Sequence, residues 1–279
     1  MLELSWIKSC VFGFLSGLLD ILPVSSQAHS VLMLKFFGIK VSSDLMNLLI
    51  HVAIFAALYY SSQRHLLRMS RARALARVPK RKRKRPLDIR SMMDLSMLKT
   101  MMVPAVIGVY LRQYTVDLRS NLLLIALFMF VNGVLLYLPQ FFPTSNRDSR
   151  TLSRVEGFLM GLGGMASAVP GVSAIGVTTS IASVCGVDHT YGLDMAVMMN
   201  MAITAGLIVY DMLGIVSNGL GALSFVILLR FICAAAAAFC GVILGVKLMR
   251  KLAAESGFSV FGVYCWGLAL FTFVLKLIA

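Results

Sequence analysis

Residues 20–29 read Asp20-Ile21-Leu22-Pro23-Val24-Ser25-Ser26-Gln27-Ala28-His29. They place a carboxylate, two hydroxyls and an imidazole inside a stretch, 5–37, that is otherwise apolar enough for a membrane. Polar groups at such a depth cost several kcal/mol unless they are paired. Pro23 lacks a backbone N–H and would break a helix, which frees backbone groups that lipid cannot satisfy. We therefore expect the break to line a cavity within the protein and the four polar groups to form a site.

A weaker copy of this pattern follows as Val169-Pro170-Gly171-Val172-Ser173. The segment Phe158-Leu159-Met160-Gly161-Leu162 precedes it, just as Phe14-Leu15-Ser16-Gly17-Leu18 precedes the first motif. The repetition indicates an internal duplication, with halves 1–139 and 140–279 in a single membrane domain, 1–279. Taken alone, the second motif favours ordinary helix packing, because small and hydroxyl residues serve that purpose in membranes.

The composition is that of a multi-spanning membrane protein, with 59% hydrophobic residues and a mean hydropathy of +0.86. We predict an all-α integral membrane fold with an inverted-topology repeat. Apolar windows predict six full helices near 42–62, 98–112, 120–139, 192–213, 222–248 and 256–277. The stretches 5–37 and 153–187 divide at their Pro motifs into half-length pieces, which is typical of re-entrant hairpins. The five cysteines have no metal-ligand spacing and are expected to act as small hydrophobes.

The net charge of +14 is concentrated in one segment, since twelve Lys or Arg residues lie between Arg64 and Arg90 with only Asp88 to oppose them. Beside spanning helices, such a segment is typical of a cytoplasmic loop, here 64–97, whose basic part 64–90 is held against anionic lipid. We expect no nucleic-acid partner. A cytoplasmic loop places the N-terminus and the first hairpin outside, and the second hairpin then opens inward. The halves are therefore predicted to be inverted, with their broken tips meeting near the midplane.

The first motif has the groups needed for chemistry on phosphate. Ser25 or Ser26 can cap the half-helix after Pro23, whose free N–H groups suit an anion. Ser26 and His29 are three residues apart, so a hydroxyl and an imidazole can act together as nucleophile and base. The alternative is that the serines only cap, and that His29 and Asp20 satisfy each other. Other polar residues in apolar stretches are given no chemistry: Asp44, Asn47, His51, Asn132, Asn200 and Asp211.

The two motifs resemble signatures of the undecaprenyl-diphosphate phosphatase family of the bacitracin-resistance type. The first signature, Glu-Gly-x-x-Glu-Phe-Leu-Pro-Val-Ser-Ser-Thr-Gly-His, is matched from Ser16 to His29. The second, Pro-Gly-x-Ser-Arg-Ser-Gly-x-Thr, is met at Pro170, Gly171, Ser173, Gly176 and Thr178. The resemblance implies a bacterial inner-membrane protein of the cell-wall lipid-carrier cycle, with an inverted-repeat fold and an outward-opening site.

The resemblance also implies a reaction, the hydrolysis of a polyprenyl diphosphate lipid to the monophosphate. Ser26 would be nucleophile or water-positioner and His29 the general base, while Asp20 would bind Mg²⁺ or Ca²⁺ or orient His29. The residues implied to hold the substrate are Ser16, Ser25, Gly171, Ser173 and Thr178. A homodimer is left open.

The chain departs from the family pattern at positions that bear on the chemistry. Ser16 stands where members have Glu or Gln, Asp20 where they have Glu, and Ala174-Ile175 where they have Arg-Ser. Losing a cation that stabilises a transferring phosphoryl group costs orders of magnitude in rate. Two functions of different class follow. One is a phosphatase slower than members with the complete motifs, and the other is a non-catalytic relative that binds or translocates polyprenyl phosphate lipid.

Overall fold

The structure, a computed structural model, describes residues 5–38, 43–143, 146–219, 224–255 and 258–278. These ranges are α-helical with short 3₁₀ turns, so the predicted all-α fold class is confirmed. The helices are α1 (Trp6–Ile21), α2 (Ser26–Phe36), α3 (Asp44–Ala76), α4 (Ile89–Leu111), α5 (Leu122–Tyr137), α6 (Arg154–Met165), α7 (Ala174–Val184), α8 (His189–Asn218), α9 (Phe225–Glu255) and α10 (Val260–Ile278).

Six helical segments among the described residues are long and apolar enough to cross a membrane, and they coincide with the six predicted windows. They are Asp44–Ala76, Ile89–Tyr114, Leu122–Phe141, His189–Asn218, Phe225–Ala254 and Val260–Leu277. Three predicted windows begin at residues outside the described ranges, namely 42, 222–223 and 256–257.

The basic segment is not the long loop that the sequence predicts over 64–97. Helix α3 continues to Ala76 and α4 already begins at Ile89, so only 77–88 connects them, with a 3₁₀ turn at Lys80–Lys82. Arg, Lys, Met and Ala are good helix formers, which lets both helices continue beyond their apolar parts. The Asp88 carboxylate caps α4 by accepting a 3.0 Å hydrogen bond from the Ser91 N–H. The basic residues are therefore divided between the ends of α3 and α4, which carry five of the twelve, and the short connection, which carries seven.

Each Pro motif separates two half-length helices that form a hairpin. At the first, the Lys8 ammonium lies 5.7 Å from the centre of the Phe37 ring, so the start of α1 and the end of α2 meet. At the second, Arg147 bonds both Glu156 near the start of α6, at 2.7 Å, and the Cys185 carbonyl after α7, at 2.8 Å. Each hairpin thus enters and leaves at one end of the bundle. Its re-entrant insertion into a bilayer stays a prediction.

The broken tips of the two hairpins meet inside the bundle. The Ser25 hydroxyl accepts a 3.1 Å hydrogen bond from the Gly171 N–H, and the Gln27 amide donates to the Ser167 carbonyl. The Asn132 amide of α5 donates to the Pro23 carbonyl at 3.0 Å. Protein groups therefore satisfy irregular backbone that lipid could not satisfy.

The first helix of each hairpin packs closely on a long helix from the other half. The contacts are made by glycines four residues apart, Gly13 and Gly17 of α1 against α9, and Gly157 and Gly161 of α6 against α4. A Cβ atom at Gly17 would lie 2.1 Å from the Ala238 carbonyl oxygen, which leaves no room for a side chain. The pairing of α1 with α9 is similar to that of α6 with α4, and the internal duplication itself stays a prediction.

Candidate functional site

A cavity of about 870 Å³ lies among α1, α2, the start of α3, α8 and the connection from α4 to α5. Its polar lining includes Ser16, Asp20, Ser26, Gln27, His51, Arg112 and Arg119. Its apolar lining includes Phe12, Val31, Leu34, Ile50, Ile54 and Leu207. Because α3 begins at the cavity and ends at the basic segment, the two lie at opposite ends of the bundle.

Asp20 is at the centre of the polar lining, as the first motif predicts. Its Oδ2 atom accepts a 2.7 Å hydrogen bond from the Asn200 side-chain amide of α8. Ser26, His51 and Arg112 also lie near enough to act electrostatically on the carboxylate. Asp20 thus links the first motif to residues that come from three other helices or connections.

His51 and Asp211 form a tight pair between α3 and α8. The Nδ1 atom of His51 lies 2.5 Å from Oδ2 of Asp211, and the side chains are 17% and 7% exposed. A carboxylate on one ring nitrogen fixes the orientation of an imidazole and leaves the other nitrogen available. No chemical role was predicted for either residue from the sequence, although an ionisable pair within apolar helices is a signal of a site.

Two cations of the α4–α5 connection, Arg112 and Arg119, enter the cavity. The Nε atom of Arg112 and the Nε and Nη2 atoms of Arg119 are buried without a hydrogen-bond partner among the described residues. Neither arginine was predicted as a site residue, because the two motifs contain no cation and both arginines lie outside them. A signal was present, since the predicted topology places this connection outside, where Arg is disfavoured in short loops.

His29 does not share the cavity with Asp20 and Ser26, contrary to the prediction. Its Nδ1 lies 2.9 Å from the Ser25 carbonyl oxygen and its Nε2 lies 2.9 Å from the Tyr264 hydroxyl. The imidazole is also parallel to the Tyr264 ring, with 5.9 Å between the ring centres. Residues three apart on a helix differ by about 60° in direction, enough here to turn His29 toward α10. The predicted nucleophile–base pair of Ser26 and His29 is therefore not formed.

Ser25, predicted to bind substrate, holds the hairpin tips together instead. It caps α2, with its hydroxyl accepting from the Ala28 N–H as well as from Gly171. The side chain is 2% exposed and does not line the cavity. Ser16, by contrast, lines the cavity, and its buried hydroxyl has no hydrogen-bond partner among the described residues.

The predicted phosphate-binding residues of the second motif bond to the protein and do not line the cavity. Gly171 has a φ of +110°, and a Cβ atom there would lie 2.7 Å from Cβ of Phe128. Ser173 caps α7, accepting from the Gly176 N–H at 3.1 Å. Thr178 is fully buried and donates to the Met160 carbonyl at 3.1 Å. These contacts agree with ordinary helix packing, which is the interpretation that the second motif favours when it is considered alone.

The sequence matches the family described as bacitracin resistance protein BacA over residues 9–271. The chain belongs to this family. Similar proteins include the undecaprenyl-diphosphatase of Methanobrevibacter smithii, 25% identical over 276 residues that cover 96% of each chain. Undecaprenyl-diphosphatase 1 of Shouchella clausii is 22% identical over 98% of this chain and 97% of its own. The undecaprenyl-diphosphatase of Pelobacter propionicus is 26% identical over 77% of this chain and 78% of its own. Because the identity to these relatives is low, the chain is a divergent member of the BacA family.

The donors around Asp20 do not fit a resident divalent cation well. Buried oxygens without partners, the Ser16 hydroxyl and the Gln27 side-chain carbonyl, are of the hard type that Mg²⁺ and Ca²⁺ prefer. The described residues contain no group of three or more His, Cys, Asp or Glu placed to hold an ion, and Arg112 lies beside Asp20. Two carboxylates line the cavity, Asp20 and Asp117, but three cations line it as well, Lys35, Arg112 and Arg119, so the lining has no net negative charge to hold a divalent ion.

Proposed function

We propose that this BacA-family chain hydrolyses a polyprenyl diphosphate, undecaprenyl diphosphate by analogy with its relatives, to the monophosphate and inorganic phosphate. The observation that carries the proposal is the cavity itself. It joins a hydroxyl, a carboxylate, a His–Asp pair and two guanidinium groups to an apolar wall, which suits an anionic head group on an isoprenoid chain.

The first-motif residues that line the cavity take the direct roles. The Ser26 oxygen attacks the terminal phosphorus, and the bond from that phosphorus to the bridging oxygen breaks, which releases the lipid monophosphate. Water then displaces phosphate from Ser26 and restores the hydroxyl. Asp20 lines the cavity with Ser26 and would orient the Ser26 hydroxyl toward the phosphate.

His51 replaces His29 as the proposed base. Both ring nitrogens of His29 have protein partners outside the cavity, whereas His51 lines it. His51, Ser26 and Asp20 line the same cavity, which supports a shared role. The imidazole would take the Ser26 proton and give it to the bridging oxygen that leaves, with Asp211 stabilising the imidazolium.

The orientation of the cavity agrees with an extracytoplasmic reaction. The cavity opens at the end of the bundle opposite the basic segment. If that segment lies on the cytoplasmic side of the bacterial inner membrane, against anionic lipid, the site opens outward.

The test is phosphate release from undecaprenyl diphosphate by the purified protein, together with His51→Gln and a matched control. His65 lies on the same helix, 3.4 Å from Asp194 of α8, but does not line the cavity. We expect His51→Gln to lower turnover by about 10²- to 10⁴-fold and His65→Gln to leave it nearly unchanged. A folded wild-type protein that releases no phosphate would refute the proposal, and lipid binding without turnover would favour the non-catalytic alternative.

A further inference from the structure

Arg112 and Arg119 are held in place by the turns that carry them. Arg112 begins a 3₁₀ turn directly after α4, and Arg119 lies in a second turn, Asp117–Ser120. The Thr115 hydroxyl donates to the Arg112 carbonyl at 3.1 Å and to the Ala168 carbonyl at 2.6 Å. The connection is thereby fastened to the tip of the second hairpin, so the two guanidinium groups have a fixed frame.

Two other partly buried arginines of the described structure have a carboxylate within ion-pair distance, whereas Arg112 and Arg119 do not. Arg147 bonds Glu156 at 2.7 Å and Arg250 bonds Asp194 at 2.9 Å. No ion pair within 4.0 Å is found for Arg112 or Arg119 in the described ranges, and three of their nitrogens are buried without a hydrogen-bond acceptor. Buried N–H donors without acceptors are costly, and the two guanidinium charges repel each other, while Asp20 and Asp211 attract Arg112 without forming an ion pair with it.

An anion between the two guanidinium groups would remove both costs at once. Phosphate fits because its oxygens accept paired N–H bonds from Arg in a geometry that Lys does not reproduce. Apolar side chains of the same cavity, such as Phe12 and Leu34, give a lipid chain a surface to lie against.

We infer that Arg112 and Arg119 together bind the phosphate group of a ligand in this cavity, that ligand being a phosphorylated lipid. The inference rests on the proposed function for the lipid's identity, but it concerns binding and not turnover. The second motif lacks a positive charge because Ala174 stands where the family signature has Arg. The inference assigns that positive charge to the α4–α5 connection instead.

The experiment measures binding of undecaprenyl monophosphate, which carries no diphosphate to hydrolyse, to the full chain in lipid nanodiscs. The variants are Arg112→Gln, Arg119→Gln and the pair combined. Arg81→Gln is the matched control, because it removes one exposed arginine from the basic segment far from the cavity. Undecaprenol, which lacks phosphate, and inorganic phosphate alone are the comparison ligands.

We expect each single variant to weaken binding of undecaprenyl monophosphate about tenfold to a hundredfold. Arg81→Gln should bind undecaprenyl monophosphate as the wild-type protein does, and none of the arginine variants should bind undecaprenol more weakly than the wild-type protein does. Arg112→Lys and Arg119→Lys keep the charge and test the loss of paired bonds if a Gln variant fails to fold. Arginine-dependent binding of inorganic phosphate but not of the lipid would overturn the lipid assignment. Wild-type affinity in the combined variant would overturn the site. Arginine-dependent lipid binding by a protein without turnover would uphold the site and refute the hydrolysis.

Discussion

Ser25 is the residue at which the two broken tips meet, and its backbone is strained. Its φ of 59° is unfavourable for any residue with a Cβ atom. Its hydroxyl offsets this by accepting hydrogen bonds from the N–H groups of Ala28 and Gly171. A sequence shows the hydroxyl but not the φ angle, so Ser25 could be predicted as a cap and not as the contact between the tips.

We predict that Ser25→Ala lowers the free energy of unfolding by roughly 1–3 kcal/mol, because the buried Gly171 N–H loses its acceptor. Ser25→Gly loses the same hydrogen bond but relaxes the backbone, so its loss should be about 1 kcal/mol smaller. Unfolding of the purified variants in detergent, followed by circular dichroism, measures the order. A Gly variant less stable than the Ala variant would contradict the account.

The candidate site was predictable from sequence where its residues are local. Asp20 and Ser26 lie in the cavity because the Pro23 break brings the end of α1 and the start of α2 together. His51, Arg112 and Arg119 reach the same cavity from positions at least 25 residues beyond Ser26. They do so through packing that a single sequence does not encode in any short motif. His29 was misplaced because helical spacing alone does not say which neighbour a face meets.

Among the elements, α5 stabilises the first hairpin through one side chain, Asn132. Its amide donates to the Pro23 carbonyl at 3.0 Å, and its side-chain oxygen accepts from the Ser173 N–H at 2.9 Å. Both backbone groups lie at breaks in the helices, where the Pro23 carbonyl has as its other partner only a long, 3.9 Å contact from the Cys265 thiol among the described residues. The sequence assigned no chemistry to Asn132, and the structure shows that its amide bonds backbone groups at both breaks.

We predict that Asn132→Leu lowers the free energy of unfolding by roughly 2–5 kcal/mol, since two buried backbone groups lose their partners. Thr272→Val is the control, because Thr272 is equally buried but bonds the Leu268 carbonyl of its own helix. Its loss should stay below about 1 kcal/mol. Equal destabilisation by the two changes, measured as unfolding midpoints in the same detergent, would show that Asn132 has no special role.

Helix positions were easier to predict than helix ends. An apolar window of bilayer length identifies a span because burying its side chains in lipid or protein is favourable whatever the neighbours are. The end of α3 and the start of α4 were not predicted correctly, because sequence rich in Arg and Lys is polar but also favours helix. The hydropathy therefore falls while the helix continues.

At the scale of the whole molecule, the hairpins open at opposite ends of the bundle. The first opens beside the start of α3, and the second opens near Ser149, whose hydroxyl donates to Asp94 in the second turn of α4 at 2.5 Å. The basic segment lies at this second end, between α3 and α4. Hairpins that open at opposite ends of the bundle are compatible with the predicted inverted repeat, and the repeat itself stays a prediction.

The topology yields the last prediction, which concerns both ends of the bundle at once. Lys82→Cys in the basic segment should react with a membrane-impermeant thiol reagent only after the cytoplasmic side is opened, because Lys and Arg clusters stay inside. Val116→Cys, in the connection that carries Arg112 and Arg119, should react in intact cells, since it is 39% exposed and lines the cavity. Both changes are made in a background with the five native cysteines replaced by Ala. Labelling of position 82 from outside, or protection of position 116 in intact cells, would reverse the orientation and place the proposed phosphate site on the cytoplasmic face.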